Sequence, residues 1–307
     1  MTDLFGIIAP VFALIGMGVA AVQMRLLETP AVRGMTDFVF FAAMPSLLFG
    51  SVAGAPPLRL LDVAGSFLGG AVLLFAAAVL LARYVLGVRL AQASMFGLNS
   101  VFGNTVMLGI PIVDAAYGRE GVANLLAVIA FHSAVLLPLA TIMIEADTDS
   151  GRGPLGVLQA AVPGIVRNPV VVSIMLAFVW RATGLSIPVP IGRLLGLMGA
   201  AGPPLALFCL GASLPRPTGW SDILEVSLAA VLKLAAMPAL VALLAHLAGV
   251  TGVAFAVVVL ASGLPTGANA FLLARRFATM AEASASTVVV STVASLFTLA
   301  ALLSWLR

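Results

Sequence analysis

The sequence predicts an all-α polytopic membrane protein, and three observations point to this fold class. Hydrophobic residues make up 62% of the 307 residues and charged residues only 9%, whereas a soluble domain has about 25% charged residues. Mean hydropathy is +1.19. The apolar runs are long and continuous, which excludes the alternating pattern of a membrane β-barrel. At about 20 residues per span, the chain length allows roughly ten membrane-spanning helices.

Ten apolar segments fit this expectation. The strongly polar connection Glu145–Pro154 separates five of them from the other five, so we predict a first repeat over residues 1–146, a connecting loop over 147–162 and a second repeat over 163–307. The predicted helices 1 to 10 cover about residues 4–24, 32–53, 63–83, 92–116, 123–144, 169–180, 192–214, 223–247, 253–275 and 283–306.

The two halves repeat weakly, which predicts two inverted five-helix repeats. Helix 2 contains Pro45–Phe49 and helix 7 contains Pro204–Phe208, and both stretches read P-x-x-L-F. Each stretch lies at a similar distance from a later proline, Pro111 in helix 4 and Pro265 in helix 9. Internal repeats of this kind are common in secondary transporters. An odd number of helices per half places the two halves in opposite orientations.

Charge and cysteine content exclude several other classes. The formal net charge is +3, but the charges are dispersed singly, so no basic patch for nucleic acid is present. A single cysteine, Cys209, excludes an internal disulfide and a cysteine-rich metal site. The first residues lack the basic region of a signal peptide, so the apolar run from Leu4 is retained as helix 1. We therefore predict no metal, no other cofactor and no nucleic-acid partner.

Arginines in the predicted loops indicate the orientation, because cytoplasmic loops carry an excess of positive charge. With the N-terminus outside, more arginines lie on the cytoplasmic side than on the outer side, and we predict that both termini are outside. The cytoplasmic group is Arg25, Arg33, Arg83, Arg89, Arg152, Arg167, Arg216, Arg275 and Arg276, and the outer group is Arg59, Arg119, Arg181, Arg193 and Arg307.

Two of the predicted helices are interrupted, helix 4 at Asn99–Pro111 and helix 9 at Ser262–Asn269. In hydrocarbon, an unpaired backbone group is so costly that such a break survives only inside protein or beside a cavity. Two interrupted spans in corresponding halves are the best sequence pointer to a transporter binding site. The predicted break residues are Gly103, Gly109 and Pro111 in helix 4, and Gly263, Pro265 and Gly267 in helix 9.

Four motifs in the same order carry a family resemblance. They are Asn104–Pro111 in helix 4, Arg167–Pro169 before helix 6, Pro204–Leu214 in helix 7 and Leu264–Phe271 in helix 9. On these motifs the chain resembles the auxin efflux carrier family of bacterial and plant membrane transporters. The chain lacks the long cytoplasmic loop of the large plant members, so it looks like a compact bacterial member resembling malonate and malate carriers.

The resemblance implies a scaffold of helices 1, 2, 6 and 7 and a transport domain of helices 3–5 and 8–10. Helices 4 and 9 would cross at their prolines, inside the transport domain of an elevator-type carrier. The implied substrate is a small organic anion, either a malonate- or malate-like carboxylate or an auxin-like acid. The implied location is the bacterial inner membrane, with the lipid bilayer as the surrounding partner. A homodimer and a proton or sodium coupling ion are left open.

Residues at the two breaks are the candidate substrate ligands. The second half of a broken helix begins with unpaired N–H groups and about half a positive elementary charge, which can hold a carboxylate. Asn104 and Asn269 add neutral donors there, although they could merely satisfy freed backbone groups. Thr105, Thr266 and His132 are further candidates, and for His132 a packing role is the alternative.

Lys233 is the only lysine and lies well inside helix 8. A charge at that depth costs at least about 2.5 kcal/mol on insertion scales, so the side chain should face the protein interior. It could compensate substrate charge or take part in coupling. The alternative is a long side chain that snorkels to the membrane interface.

Other functions fit the sequence less well. No aspartate or glutamate is expected near either break, whereas a cation/proton antiporter would need such a carboxylate at mid-membrane. The main alternative is a sodium-coupled carrier of larger organic acids, such as bile acids, on a similar crossed-helix fold. A membrane enzyme would need a nucleophile–base set or a metal cluster, and neither pattern is present. We therefore predict a secondary carrier of small organic anions that is not an enzyme.

Overall fold

The computed structural model describes residues 2–53, 60–148, 169–215 and 223–306. Within these ranges the chain is helical and contains no β-strand. The helices are α1 (Thr2–Gln23), α2 (Thr29–Phe38), α3 (Met44–Ala53), α4 (Leu60–Tyr84), α5 (Leu90–Val101), α6 (Ile110–Thr148), α7 (Pro169–Ala182), α8 (Val189–Ala212), α9 (Ile223–Val231), α10 (Met237–Leu247), α11 (Gly252–Ser262), α12 (Ala268–Arg276) and α13 (Ala281–Trp305).

The apolar character of these helices confirms the predicted class of polytopic membrane protein. Among the described residues, six helical stretches are long and apolar enough to cross a bilayer. The predicted connecting loop falls largely outside the described residues, as do Arg167 and Asn168 of the second motif. The six stretches are Thr29–Gly50, Asp62–Tyr84, Thr105–Asp147, Val189–Ala212, Ile223–Leu247 and Ala281–Trp305.

Predicted helices 2, 4 and 8 each contain a five-residue π-helical segment. A proline follows each segment after one further residue. The segments Val39–Ala43, Thr105–Gly109 and Leu232–Ala236 precede Pro45, Pro111 and Pro238, respectively. A proline inside a helix has no N–H to donate and its ring collides with the carbonyl four residues earlier. Widening the preceding turn relieves this conflict, and such π-bulges occur frequently at functional sites.

The long helix α6 contains a sharp break at Gly118, where φ is 59° and ψ is −154°. A positive φ is strained for residues with a Cβ but costs glycine little. This residue separates the end of predicted helix 4 from the start of predicted helix 5. The sequence prediction of two helices here therefore describes the backbone correctly.

The chain divides into two compact units. The first comprises the described residues within 1–59, 106–126 and 164–214, and within it α1 packs against α8. Gly18 of α1 lies against the carbonyl of Phe208, and Gly211 of α8 lies against the carbonyl of Ile15. Small residues at such positions let two helix backbones approach closely, which is a common device of membrane helices.

The second unit comprises the described residues within 60–105, 127–163 and 215–307. Here α4 packs against α5 and α10. Gly97 of α5 faces the rings and methyl groups of Phe75 and Val79 on α4, and Gly70 of α4 faces Val241 on α10. This unit holds both unwound segments and most of the predicted site residues.

Candidate functional site

The interruption of predicted helix 4 is shorter than the sequence predicts. Helix α5 ends at Val101, Phe102 is extended with ψ of 108°, and helical structure resumes with the π segment at Thr105. The prediction that helix 4 is interrupted over Asn99–Pro111 was therefore wrong for most of that stretch. The π segment accommodates Pro111, so the unwound residues are only Phe102–Asn104.

The interruption of predicted helix 9 lies where the sequence places it. Helix α11 ends at Ser262, and α12 begins at Ala268 with Gly267 as its N-cap. The unwound residues are thus Gly263–Gly267, with Pro265 near their centre. Asn269 differs from the prediction in lying inside the first turn of α12 rather than in the unwound segment.

The two unwound segments, hereafter the break pair, hydrogen-bond to each other. The amide of Asn104 donates to the carbonyl of Pro265, and the amide of Gly267 donates to the carbonyl of Phe102, both at 2.9 Å. Gly103 and Thr266 form an antiparallel bridge between these bonds. Each segment therefore satisfies backbone groups of the other, which a non-helical backbone at membrane depth requires.

Buried polar side chains hold the break pair in place. The Thr266 hydroxyl donates to the carbonyl of Asn99 at 2.8 Å, and the Ser291 hydroxyl accepts the Thr266 amide at 3.0 Å. The Asn99 side chain in turn donates to the hydroxyl of Ser284 at 2.9 Å. Because the Thr266 hydroxyl is fully buried and already donates, it supports the break rather than facing a substrate.

The Lys233 ammonium reaches the break pair from the π segment Leu232–Ala236. The side chain is fully buried, so it does not snorkel to a surface, and its Nζ donates to the carbonyl of Ser262. A Cβ placed on Gly103 would lie 3.6 Å from this Nζ. No carboxylate among the described residues forms an ion pair with it. The ammonium thus stands beside both segments of the break pair.

His132, a candidate site residue in the sequence analysis, is also buried beside the break pair. Its ring lies 4.1 Å from the Phe102 ring between centroids and edge-on to Phe67 at 5.9 Å. Its Nδ1 is 3.2 Å from the Ser133 hydroxyl, and the imidazole approaches the backbone of Gly103. The histidine therefore packs behind the unwound segment of helix 4, which favours the packing role over direct substrate contact.

The predicted site residues divide into accessible and buried groups. Asn104 is half-buried and Asn269 is exposed, whereas Thr105 is buried. Asn269 lies in the first turn of α12, whose N-cap residue is Gly267. The second unit brings together Gly103, Asn104, Thr105, His132, Lys233 and Gly263–Asn269. Gly109 and Pro111 belong to the first unit.

The first unit contains a cavity of about 310 Å³ that the sequence analysis missed. Residues of α1, the start of α6 and α8 line it, including Pro111 and Asp114. Asp114 follows Pro111 by less than one turn and lies ten residues after Asn104, the last unwound residue of predicted helix 4. A carboxylate in this position would repel an anion, so this cavity does not suit an anion's carboxylate group.

Space around the break pair predicts different tolerance to alanine at two of its glycines, Gly103 and Gly267. A Cβ on Gly267 would lie 3.1 Å from the Gly103 carbonyl and the Phe102 ring, whereas a Cβ on Gly103 would make only ordinary contacts at 3.6 Å. We expect Gly267→Ala to destabilise the protein by about 1–3 kcal/mol, as overpacking does, and Gly103→Ala to change stability little. Thermal unfolding of both variants in detergent checks this. Equal destabilisation by the two substitutions would show that close packing does not explain the need for glycine at position 267.

Apolar helices and two interrupted helices joined at their breaks define a polytopic membrane protein of the kind that carriers form. The family described as "Membrane transport protein" matches residues 3–303, and the chain belongs to this family. The chain is also 25% identical over 312 residues to the "Putative malonate transporter" of Rhizobium meliloti (strain 1021), covering 100% of this chain and 97% of that relative. It is therefore an integral membrane transporter and not an enzyme, which confirms the resemblance found in the motifs.

Proposed function

We propose that the protein is a secondary carrier of small organic anions that binds its substrate at the break pair. The observation that carries this proposal is the Lys233 ammonium, which is buried where the two unwound segments meet and forms no ion pair with a carboxylate of the described residues. A site for a cation would place acidic side chains there instead.

The charge balance of the helix ends supports an anion. Helices α5 and α11 end at the break pair, and the helical segments from Thr105 and Ala268 begin there. Each end carries about half an elementary charge, negative at a C-terminus and positive at an N-terminus, so the four ends roughly cancel. When Lys233 is protonated, its charge leaves the site about one unit positive, and a low dielectric strengthens the attraction of this charge for an anion.

Asn104 and Asn269 are the side chains that we assign to carboxylate recognition. Both are accessible, and Asn269 stands at the positive end of α12. Amide N–H groups and helix N-termini are common ligands of carboxylates and phosphates. Thr105 stays a weaker candidate because its side chain is buried.

The substrate that we propose is a malonate-like dicarboxylate, because the full-length relative from Rhizobium meliloti is named for malonate. The alternative is a sodium-coupled carrier of larger acids. Lys233 argues against it, since its ammonium already occupies the Ser262 carbonyl, the type of hard oxygen ligand that a metal cation would take at a broken helix.

The elevator mechanism and the ten-helix arrangement are part of the same proposal. The second unit contains predicted helices 3, 8, 9 and 10 with parts of 4 and 5, and the first contains helices 1, 2, 6 and 7 with the remainder. This division resembles the transport domain and scaffold implied by the family resemblance. We further propose two inverted repeats in a bacterial inner membrane with both termini outside.

Transport by purified protein in liposomes tests the function. The panel contains radiolabelled malonate, malate, succinate, acetate, indole-3-acetate and taurocholate, each measured by exchange against internal unlabelled acid. We expect saturable exchange of small carboxylates that is unchanged when sodium is replaced by potassium, with protein-free liposomes as the control. The proposal is contradicted if every acid exchanges no faster than in those liposomes. It is also contradicted if taurocholate alone is transported and its transport requires sodium.

A further inference from the structure

We propose that Lys233 is the proton-binding group that couples anion transport to protons, so that anion and proton cross together. This inference rests on the proposed anion-carrier function and adds its coupling ion. Lys233 lies on the π segment before Pro238, and its side chain is fully buried. Its Nζ donates to the carbonyl of Ser262 at the C-terminus of α11.

In the part of the chain that the structure describes, no side chain of opposite charge pairs with the Lys233 ammonium. Helices α5 and α11, which flank the break pair, contain no acidic or basic side chain. Helix α13 carries only Glu282, in its first turn, and the charged residues of α4, Asp62 and Arg83, lie in its first and last turns. Helices α9 and α10 contribute Glu225 and His246, again near helix ends. The titratable side chain that faces Lys233 is His132 of α6, which provides no negative charge.

This arrangement makes the protonation state of Lys233 depend on the substrate. A buried charge without a counter-charge is costly, and such a group tends to neutralise. An anion bound at the break pair supplies the missing counter-charge and favours the ammonium. In the empty carrier the described residues offer the ammonium the Ser262 carbonyl and the C-terminal end of α11 but no negative side chain, so we assign the neutral amine to this state.

A transport cycle follows from these two states. On the side where the anion enters, the amine of Lys233 takes a proton from a hydronium ion, so that an O–H bond breaks as the N–H bond forms, and the anion binds beside the ammonium. The ammonium offsets one negative charge of the anion while the pair crosses. On the other side the anion leaves, the N–H bond breaks and the proton passes to water, and the carrier returns with a neutral amine. One proton thus moves with each anion.

Two substitutions separate a fixed charge from a proton-binding group. Arginine at this position would stay charged, because its guanidinium is not deprotonated in proteins, and methionine would never be charged. Lys233→Met should insert and fold, since it removes an insertion cost. Leu234→Met on the same π segment is the matched control, because this volume-conserving exchange changes no charge.

Two assays in sodium-free proteoliposomes test the coupling, with the membrane potential clamped by potassium and valinomycin. The probe is the labelled acid of the panel that the wild type exchanges fastest. Exchange at equal pH reports the loaded carrier, and accumulation in vesicles without internal acid, driven by an acidic exterior, reports the complete cycle. Protein-free liposomes correct for diffusion of the neutral acid.

We expect the wild type and Leu234→Met to show both activities. Lys233→Arg should lose at least about tenfold more in pH-driven accumulation than in exchange, because an empty carrier with a fixed charge returns slowly. Lys233→Met should lose accumulation. Its exchange should need about a tenfold higher substrate concentration, which corresponds to about 1.4 kcal/mol. Accumulation at the wild-type rate by either variant would overturn the coupling role. Wild-type exchange without any pH-driven accumulation would overturn it as well, while leaving the anion-carrier function intact.

Proton binding can also be measured directly, in case the arginine variant does not fold. When the acid is added in weakly buffered detergent solution, the wild-type protein should take up roughly one proton per anion bound, because the two binding equilibria are linked. Lys233→Met should bind none at anion concentrations that saturate it. An equal proton uptake by this variant would assign the proton to another group and overturn the proposal.

Discussion

Replacing Gly211 or Gly18 by alanine should destabilise the protein more than any other single methyl group added to a described helix. A Cβ on Gly211 would meet the carbonyl oxygen of Ile15, and a Cβ on Gly18 would meet the carbonyl oxygen of Phe208. Both obstacles are backbone atoms, so no side-chain rotation can make room, and α1 and α8 would have to move apart. Overpacking typically costs about 1–3 kcal/mol and occasionally more, and here we expect the upper end.

Each of these variants has a matched control on the same helix. Gly16 of α1 and Gly196 of α8 have no atoms within 4 Å of an added Cβ, so Gly16→Ala and Gly196→Ala should unfold at or slightly above the wild-type temperature. Alanine favours a helix over glycine by about 1 kcal/mol. Thermal unfolding and size-exclusion profiles in detergent give the comparison. A control variant as unstable as Gly211→Ala would show that the close contact of α1 and α8 is not the cause.

The positions of the helices could be predicted from the sequence because membrane spans need long apolar runs. Predicted helix 10 at 283–306 corresponds to α13 at Ala281–Trp305, and predicted helix 8 at 223–247 corresponds to α9, its π segment and α10. The break in helix 9 was also predicted, since two glycines and Pro265 lie within five residues. In helix 4 the same reasoning put too much weight on Pro111, because a π segment can absorb a proline without unwinding the chain.

The contacts of the break pair could not be predicted in this way. Asn99 and Ser284 lie 185 residues apart, and nothing in the local sequence indicates that they touch. The buried serines and threonines of α13 are a signal in retrospect, because polar side chains on an apolar helix usually face a partner. Lys233 was singled out for its depth alone, and only the structure shows that its ammonium reaches the Ser262 carbonyl.

Substitution of Asn104 and Asn269 should have the largest effect on substrate affinity. The two amides are accessible at the break pair, and each hydrogen bond lost to a charged group costs about 1.5–3 kcal/mol. Asn104→Ala and Asn269→Ala should therefore each weaken apparent affinity by about tenfold or more, since about 1.4 kcal/mol is a factor of ten. The backbone bond from Asn104 to Pro265 does not involve the side chain, so the break pair should persist in the alanine variant.

Aspartate at either position distinguishes an anion site from a cation site. Its size is close to that of asparagine, but its carboxylate would repel an anion and attract a cation, so Asn104→Asp and Asn269→Asp should transport worse than the alanine variants. Asn124→Ala is the matched control, because the Asn124 side chain bonds to the Glu120 carbonyl of its own helix. The measurement is the concentration dependence of exchange in liposomes, with thermal unfolding in parallel. If aspartate supports exchange and alanine does not, these asparagines are cation ligands or backbone caps. The positive charge of Lys233 would then need an explanation other than substrate binding.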